Sequence, residues 1–171
     1  MSGVYGVISK NDCMDSLFYG TDYHSHLGTE FGGLAVMDGD KFSRQIHGIA
    51  QSQFKSKFCD DLASLKGNKG IGVISDSHEQ PMYLNSKFGP FCIVTVGLIE
   101  NSEDLTDQLL KKGHSFSEMS KGPVNTTELV GKLVTLGDDL VSGIEGMFEM
   151  IEGSCSLLIL NRDGIYAAGL E

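Results

Sequence analysis

Ser2-Gly3-Val4-Tyr5-Gly6-Val7-Ile8 opens the chain, and its Val, Tyr and Ile residues suit a β-strand that begins almost at the first atom. A second run, Phe91-Cys92-Ile93-Val94-Thr95-Val96-Gly97-Leu98-Ile99, is nearly all apolar and β-branched, as a strand buried on both faces requires. Further strands are expected at 32–37, 70–75, 155–161 and 164–168, with the first extending over 3–9. Asn161-Arg162-Asp163-Gly164 between the last two carries an Asp-Gly hairpin signal.

Helix signals fill the gaps between these strands. Asn101 or Ser102 can cap a helix over 102–112, with Glu103 and Asp104 in its first turn, Leu105 and Leu109 on one face, and Gly113 at its end. Asn125 with Glu128 three residues later forms a capping-box pattern before Leu129, Leu133 and Leu136. A helix from about Asp138 to Ile151, its start capped and charged by Asp138 and Asp139, puts Leu140, Ile144, Met147, Phe148 and Ile151 on one stripe. A further helix is expected from about Asp15 to His26. Paired helices beside antiparallel strands predict sheets sandwiched between helical layers.

The chain has 171 residues and a formal net charge of -10. That length suits one domain with a continuous core, and that charge disfavours nucleic acid and anionic membrane surfaces. The basic run Lys66-Gly67-Asn68-Lys69 is too thin to reverse this. No window approaches the roughly 20 apolar residues of a membrane span, and the N-terminus lacks a signal-peptide pattern. The expected location is cytoplasmic. Cys13, Cys59, Cys92 and Cys155 are widely spaced, which argues against zinc or thioredoxin-type chemistry and for free buried thiols. His24 and His26 lie two apart and face different directions on a helix, so no metal site is expected. His47, His78 and His114 are read as surface histidines in separate loops. No phosphate-cradling loop with a lysine occurs, so neither nucleotide nor any other cofactor is expected.

Several motifs, in order along the whole chain, resemble class II (N-terminal-nucleophile) glutamine amidotransferases of the amidophosphoribosyltransferase branch. Residues 2–8 stand where that family has Cys-Gly-Ile-x-Gly-Ile, with Ser2 at the nucleophile. His26-Leu27-Gly28-Thr29-Glu30-Phe31-Gly32-Gly33 is similar to its His-Arg-Gly-x-Glu-Ser-x-Gly, and Gly72-Val73-Ile74-Ser75-Asp76-Ser77 to its Gly-His-x-Arg-Tyr-Ser. Thr95-Val96-Gly97-Leu98-Ile99-Glu100-Asn101 takes the place of His-Asn-Gly-x-Leu-x-Asn, and Asn125-Thr126-Thr127-Glu128 that of Ser-Asp-Thr-Glu. Gly153-Ser154-Cys155-Ser156-Leu157 and Ile165-Tyr166-Ala167-Ala168 complete the series. The resemblance implies an α+β fold, a four-layer αββα sandwich of two antiparallel sheets, with residues 1–171 as one amidotransferase type 2-like domain. The family domain runs on past this point with more strands and then a phosphoribosyltransferase domain. The chain is therefore expected to be the N-terminal part of a longer protein, with a C-terminal phosphoribosyltransferase-like partner domain and room for a homo-oligomer.

The departures from the family pattern fall on its chemistry. The resemblance implies a nucleophile at Ser2, oxyanion donors at Val96 and Gly97, and a glutamine pocket at Ser75, Thr126, Leu27 and Gly28. An N-terminal nucleophile uses its own α-amine as base, which Ser2 lacks while Met1 is attached. The oxyanion wants an amide donor at position 96, and Val96 has none. The glutamine carboxylate wants a guanidinium and its ammonium a carboxylate, where Ser75 and Thr126 offer only hydroxyls. Leu27 replaces an arginine. The expected function is a degenerate amidotransferase-like domain; the alternative is an active one releasing ammonia through a processed Ser2.

Overall fold

The computed structural model describes residues 2–26, 30–117 and 124–170. Its strands are β1 (Gly3–Ile8), β2 (Phe31–Asp38), β3 (Lys41–Gly48), β4 (Lys69–Ser75), β5 (Met82–Ser86), β6 (Gly89–Ile99), β7 (Gly153–Asn161) and β8 (Gly164–Leu170). The helices are α1 (Met14–Tyr23), α2 (Phe54–Phe58), α3 (Ser102–Lys111), α4 (Thr126–Val134) and α5 (Leu140–Met150).

Every strand pairs antiparallel, in two sheets ordered β1-β4-β2-β3 and β5-β6-β7-β8. Alternation along each central strand sends side chains to two different interfaces, because the side-chain period is two. In β2, Leu34 and Val36 join Leu17, Phe18, Phe54 and Phe58 under α1 and α2. Their neighbours Ala35 and Met37 instead meet Ile71, Val73, Cys92, Val94 and Leu160 between the sheets. In β6, Phe91 and Ile93 turn outward to a third cluster built with Leu105, Leu129, Leu133, Ile144 and Met147 of α3–α5. Three apolar layers thus separate four structural layers, and the expected αββα sandwich is what the chain forms.

Some local details differ from the expectations. β3 carries Lys41, Arg44 and His47 at a sheet edge, where charge discourages further pairing. His47 therefore lies on a strand rather than in a loop, and its Nε2 is 2.6 Å from Asp61 Oδ2. Asn125 caps α4 by accepting from the Thr127 and Glu128 N–H groups, but Glu128 does not reciprocate. Its Oε1 accepts instead from Ser117 N and Oγ. The reciprocal box belongs to Asp139 and Ser142 at the start of α5. Asn101 begins α3 without capping it; its side chain ties the α5–β7 junction through Met150 O and Glu152 N. α4 ends at Val134, leaving Leu136 outside it. Cys59 is exposed, whereas the other thiols are buried.

Candidate functional site

Strand periodicity decides which side chains meet at the end of the sandwich. Val4 of β1, Val73 of β4 and Val94 of β6 all face the inter-sheet layer. Two residues further toward one end, the same faces present Ser2, Ser75 and Val96. Gly3 pairs with Ile74, which brings the two serines side by side, and the Asp76 N–H donates to Ser2 Oγ over 3.3 Å. Val96 packs against the inter-sheet cluster as a half-buried hydrophobe. Gly97 follows with φ +138, opposite Cys155. A side chain there would run into the Ser154 carbonyl, so this turn of backbone demands glycine.

Behind these residues lies a buried polar chain. Ser75 is fully buried, and its Oγ accepts from the N–H groups of Ser77 (3.3 Å) and His78 (3.2 Å) and from Gln80 Nε2 (3.4 Å). Three donors crowd two lone pairs, so this oxygen has no acceptor capacity left. Gln80, also buried, donates to Thr95 O at 3.0 Å and accepts from Thr95 N at 2.8 Å. Met82 pairs with Ile93, so the residue opposite Thr95 in that register would be 80. The Gln80 carboxamide fills that place and extends the β5 edge by one pair of hydrogen bonds. Thr95 in turn points outward, and its Oγ1 meets Thr127 Oγ1 of α4 at 2.6 Å. Asn125, which caps the same helix, donates from Nδ2 to Glu79 O. The positions of Ser75, Val96 and Thr126 are thereby linked through their immediate neighbours across both sheets and a helix.

Thr126 itself opens onto a depression of about 370 Å³ between α3 and α4, lined also by His78, Ser102, Glu103, Thr106 and Asp107. Burial lowers the pKa of His78, because the interior penalises the imidazolium. Leu27 and Gly28 lie outside the described residues. Two further depressions, among Lys10, Asp40 and Arg162 and among Asp22, His26 and Phe54, are remote from Ser75 and Thr126 in their lining.

The three buried thiols offer no substitute nucleophile. Burial pushes Cys92 up to about 12 despite the nearby Arg44, and pushes Cys13 and Cys155 up to about 11; a thiol that stays protonated is unreactive. Among the described residues no group of three His, Cys, Asp or Glu side chains could hold a metal ion. No described helix is long and apolar enough to cross a membrane.

Of the positions named from the sequence, Ser2 lies beside Ser75, Ser75 reaches Thr95, the neighbour of Val96 and Gly97, through Gln80, and Thr126 opens onto the depression beside α3. Sequence reasoning missed Gln80, which the segment Asp76-Ser77-His78-Glu79-Gln80-Pro81 conceals among neighbours of the same polar character.

Paired antiparallel sheets between helical layers, with the first strand ending at the mouth of the inter-sheet space, define an N-terminal-nucleophile-type sandwich. The chain belongs to the glutamine amidotransferase domain family, whose model matches residues 69–167. It is 29% identical over 182 residues to the amidophosphoribosyltransferase of Methanocaldococcus jannaschii, covering 98% of this chain and 37% of that protein. It is 30% identical over 183 residues to a glutamine–fructose-6-phosphate aminotransferase of Streptococcus pyogenes, covering 98% of this chain and 29% of the relative. In three dimensions it matches the B. subtilis glutamine phosphoribosylpyrophosphate amidotransferase, complexed with ADP and GMP, with a TM-score of 0.84 at 22% identity over 99% of this chain and 37% of that one. The chain thus spans about a third of the length of such relatives.

Proposed function

We propose that this is a glutamine amidotransferase-type domain that has lost glutamine hydrolysis and serves a phosphoribosyltransferase-like half as a structural or regulatory partner. The parent would be an amidophosphoribosyltransferase-related protein of purine nucleotide biosynthesis, with residues 1–171 as its N-terminal domain. The observation that carries this reading is Ser75. Where the family resemblance calls for a cation facing the ligand, this chain has a fully buried hydroxyl whose lone pairs are taken by its own loop. Thr126 supplies no compensating negative charge, and Val96 offers a developing oxyanion no side-chain donor. Seating a zwitterion means desolvating two charges, at several kcal/mol per ion unless each is paired.

The test is glutamate release together with a thermal shift at millimolar glutamine, on protein whose intact mass reports whether Met1 is retained. Neither turnover nor a shift is expected. A ligand at 100 times its Kd stabilises by about 2.7 kcal/mol, so a tight site would be visible. Turnover on protein lacking Met1 would restore Ser2 as nucleophile and refute the proposal. A shift without turnover would mean that binding survived and chemistry alone was lost.

A further inference from the structure

The outer strands of the sandwich are not equally protected. β3 carries charge along its edge, and β5 is only five residues long; both features discourage pairing with another chain. β8, Gly164-Ile165-Tyr166-Ala167-Ala168-Gly169-Leu170, is seven residues long and contains neither a charged residue nor a proline. Among the described residues it pairs on one side only, with β7, and Ala167 and Gly169 along it are exposed.

Which backbone groups of β8 are free follows from Gln80. Its carboxamide takes the Thr95 N–H and C=O on the β5 side of β6, so Thr95 offers no group to β7. In an antiparallel ladder such a residue stands in a non-hydrogen-bonded pair, here with Leu157. Leu157 therefore bonds on its other side, to Ala168. Alternation along β8 turns the N–H and C=O of Tyr166 and Ala168 toward β7, and those of Ile165, Ala167 and Gly169 outward. The side chains alternate too: Ile165 faces the inter-sheet layer, and Tyr166 and Ala168 face the helical one.

The outward set complements itself. A second copy of β8, laid antiparallel about a two-fold axis at Ala167, sets Ala167 opposite Ala167 and Ile165 opposite Gly169, and each such pair exchanges two hydrogen bonds. On one face of the joined sheet two methyls meet at the axis and Ile165 meets a glycine, so nothing bulky or charged collides. On the other face Tyr166 stands beside Ala168 of the second copy, an aromatic ring next to a methyl. A separate observation lies at the rim. Ile8 is 61% exposed, and its Cδ1 lies 3.8 Å from where a Cβ on Gly164 would stand, so an added strand runs past it and takes apolar surface out of water. We propose that the chain pairs with a second copy of itself, edge to edge through β8, joining the two β5-β6-β7-β8 sheets into one continuous sheet. One strand edge offers less than the roughly 1,000 Å² that a stable interface clears, so the dimer is weak and its population follows concentration. The net charge of -10 on each copy opposes association, and added salt, which screens that repulsion, strengthens it.

Sedimentation velocity over a series from about 10 μM to about 1 mM protein should show monomer giving way to dimer. Amide hydrogen exchange at the two ends of that series reads the register. Tyr166 and Ala168 N–H should be protected throughout, and Ile165, Ala167 and Gly169 N–H should gain protection only at the high concentration. Ala167→Lys sets like charges against each other at the axis and should weaken the dimer at least tenfold, with the monomer's Tm unchanged because this side chain is exposed. Ala167→Pro removes only an outward N–H, which an edge strand tolerates, and should have the same effect; Ala168→Pro removes a bond to β7 and should instead lower Tm. If Ala167→Pro fails to fold, Ala167→Lys decides alone. Monomer at every concentration would overturn the proposal. So would a dimer indifferent to Ala167→Lys, which would place the contact elsewhere, β1 included.

Discussion

Replacing Gln80 with alanine should unlatch the end of the sandwich at a cost that the hydrogen bonds allow to be worked out. The wild-type carboxamide satisfies both backbone groups of Thr95, at 2.8 and 3.0 Å, with a weaker contact to Ser75 at 3.4 Å. Truncation leaves the Thr95 N–H and C=O facing a buried gap, and an unsatisfied buried polar group costs about 1–3 kcal/mol. Two such groups give about 2–6 kcal/mol, with the low end reached if water enters the gap. For a domain of this length each kcal/mol moves Tm by about 2–4 °C, so a fall between roughly 4 and 24 °C is expected. Gln80→Glu should be intermediate, since its acid still accepts from Thr95 N but, when ionised, sets a carboxylate against the Thr95 carbonyl. Calorimetry gives the Tm, and amide hydrogen exchange supplies the local readout. Thr95 N–H should lose protection in Gln80→Ala, beyond what the global destabilisation accounts for. A Tm drop below about 2 °C with Thr95 protection intact would refute the latch and show that the Thr95 end of β6 holds its place through β7 alone.

Gly97→Ala combines a φ of +138 with a collision against Ser154 O; a strained residue of this kind costs about 1–3 kcal/mol, and urea denaturation should show at least that loss. At pH 8 a thiol reagent should modify Cys59 quickly and the other three cysteines only after unfolding, because Cys13, Cys92 and Cys155 are held at about 11, 12 and 11; fast labelling of a second thiol in native protein would contradict their burial. His78 has a folded pKa below its unfolded value of about 6.5, so the unfolded chain binds more protons and stability falls as pH drops through and below that value. His78→Asn should flatten the part of the pH–stability curve between pH 7 and 5, and an unchanged slope would assign it to other groups.

Much of the architecture could be read from the sequence, because the central strands announce themselves. The 91–99 run could hardly be anything but a strand, though it is buried on both faces only over 91–95 and exposes Leu98, and the helices flanked by Asn125 and Asp139 carry their caps in plain view. β3 escaped notice because Lys41-Phe42-Ser43-Arg44-Gln45-Ile46-His47-Gly48 is an edge strand, chosen for charge as much as for apolar alternation. β5 is only five residues long and lacks the length for a periodic signal. At the site, the sequence revealed which residue types stand at the chemically sensitive positions. It could not reveal that Ser75 turns inward to its own loop, or that Gln80 bridges to β6, since both depend on a register between segments distant in sequence. The Asn125–Glu128 spacing correctly located a helix start and misassigned the partner, as Ser117 competes for the Glu128 carboxylate.

The inward turn of Ser75 also constrains how this domain could change in future. An arginine placed there would lose the oxygen that accepts from Ser77 and His78 N–H and from Gln80, and would put a guanidinium into a space the loop now fills. The loop would have to be rebuilt before the charge could be of any use, and each intermediate sequence would carry the damage without the benefit. Position 75 therefore works as a ratchet. Substitutions that leave this hydroxyl in place can alter the cleft at lower cost than any that introduces charge at position 75.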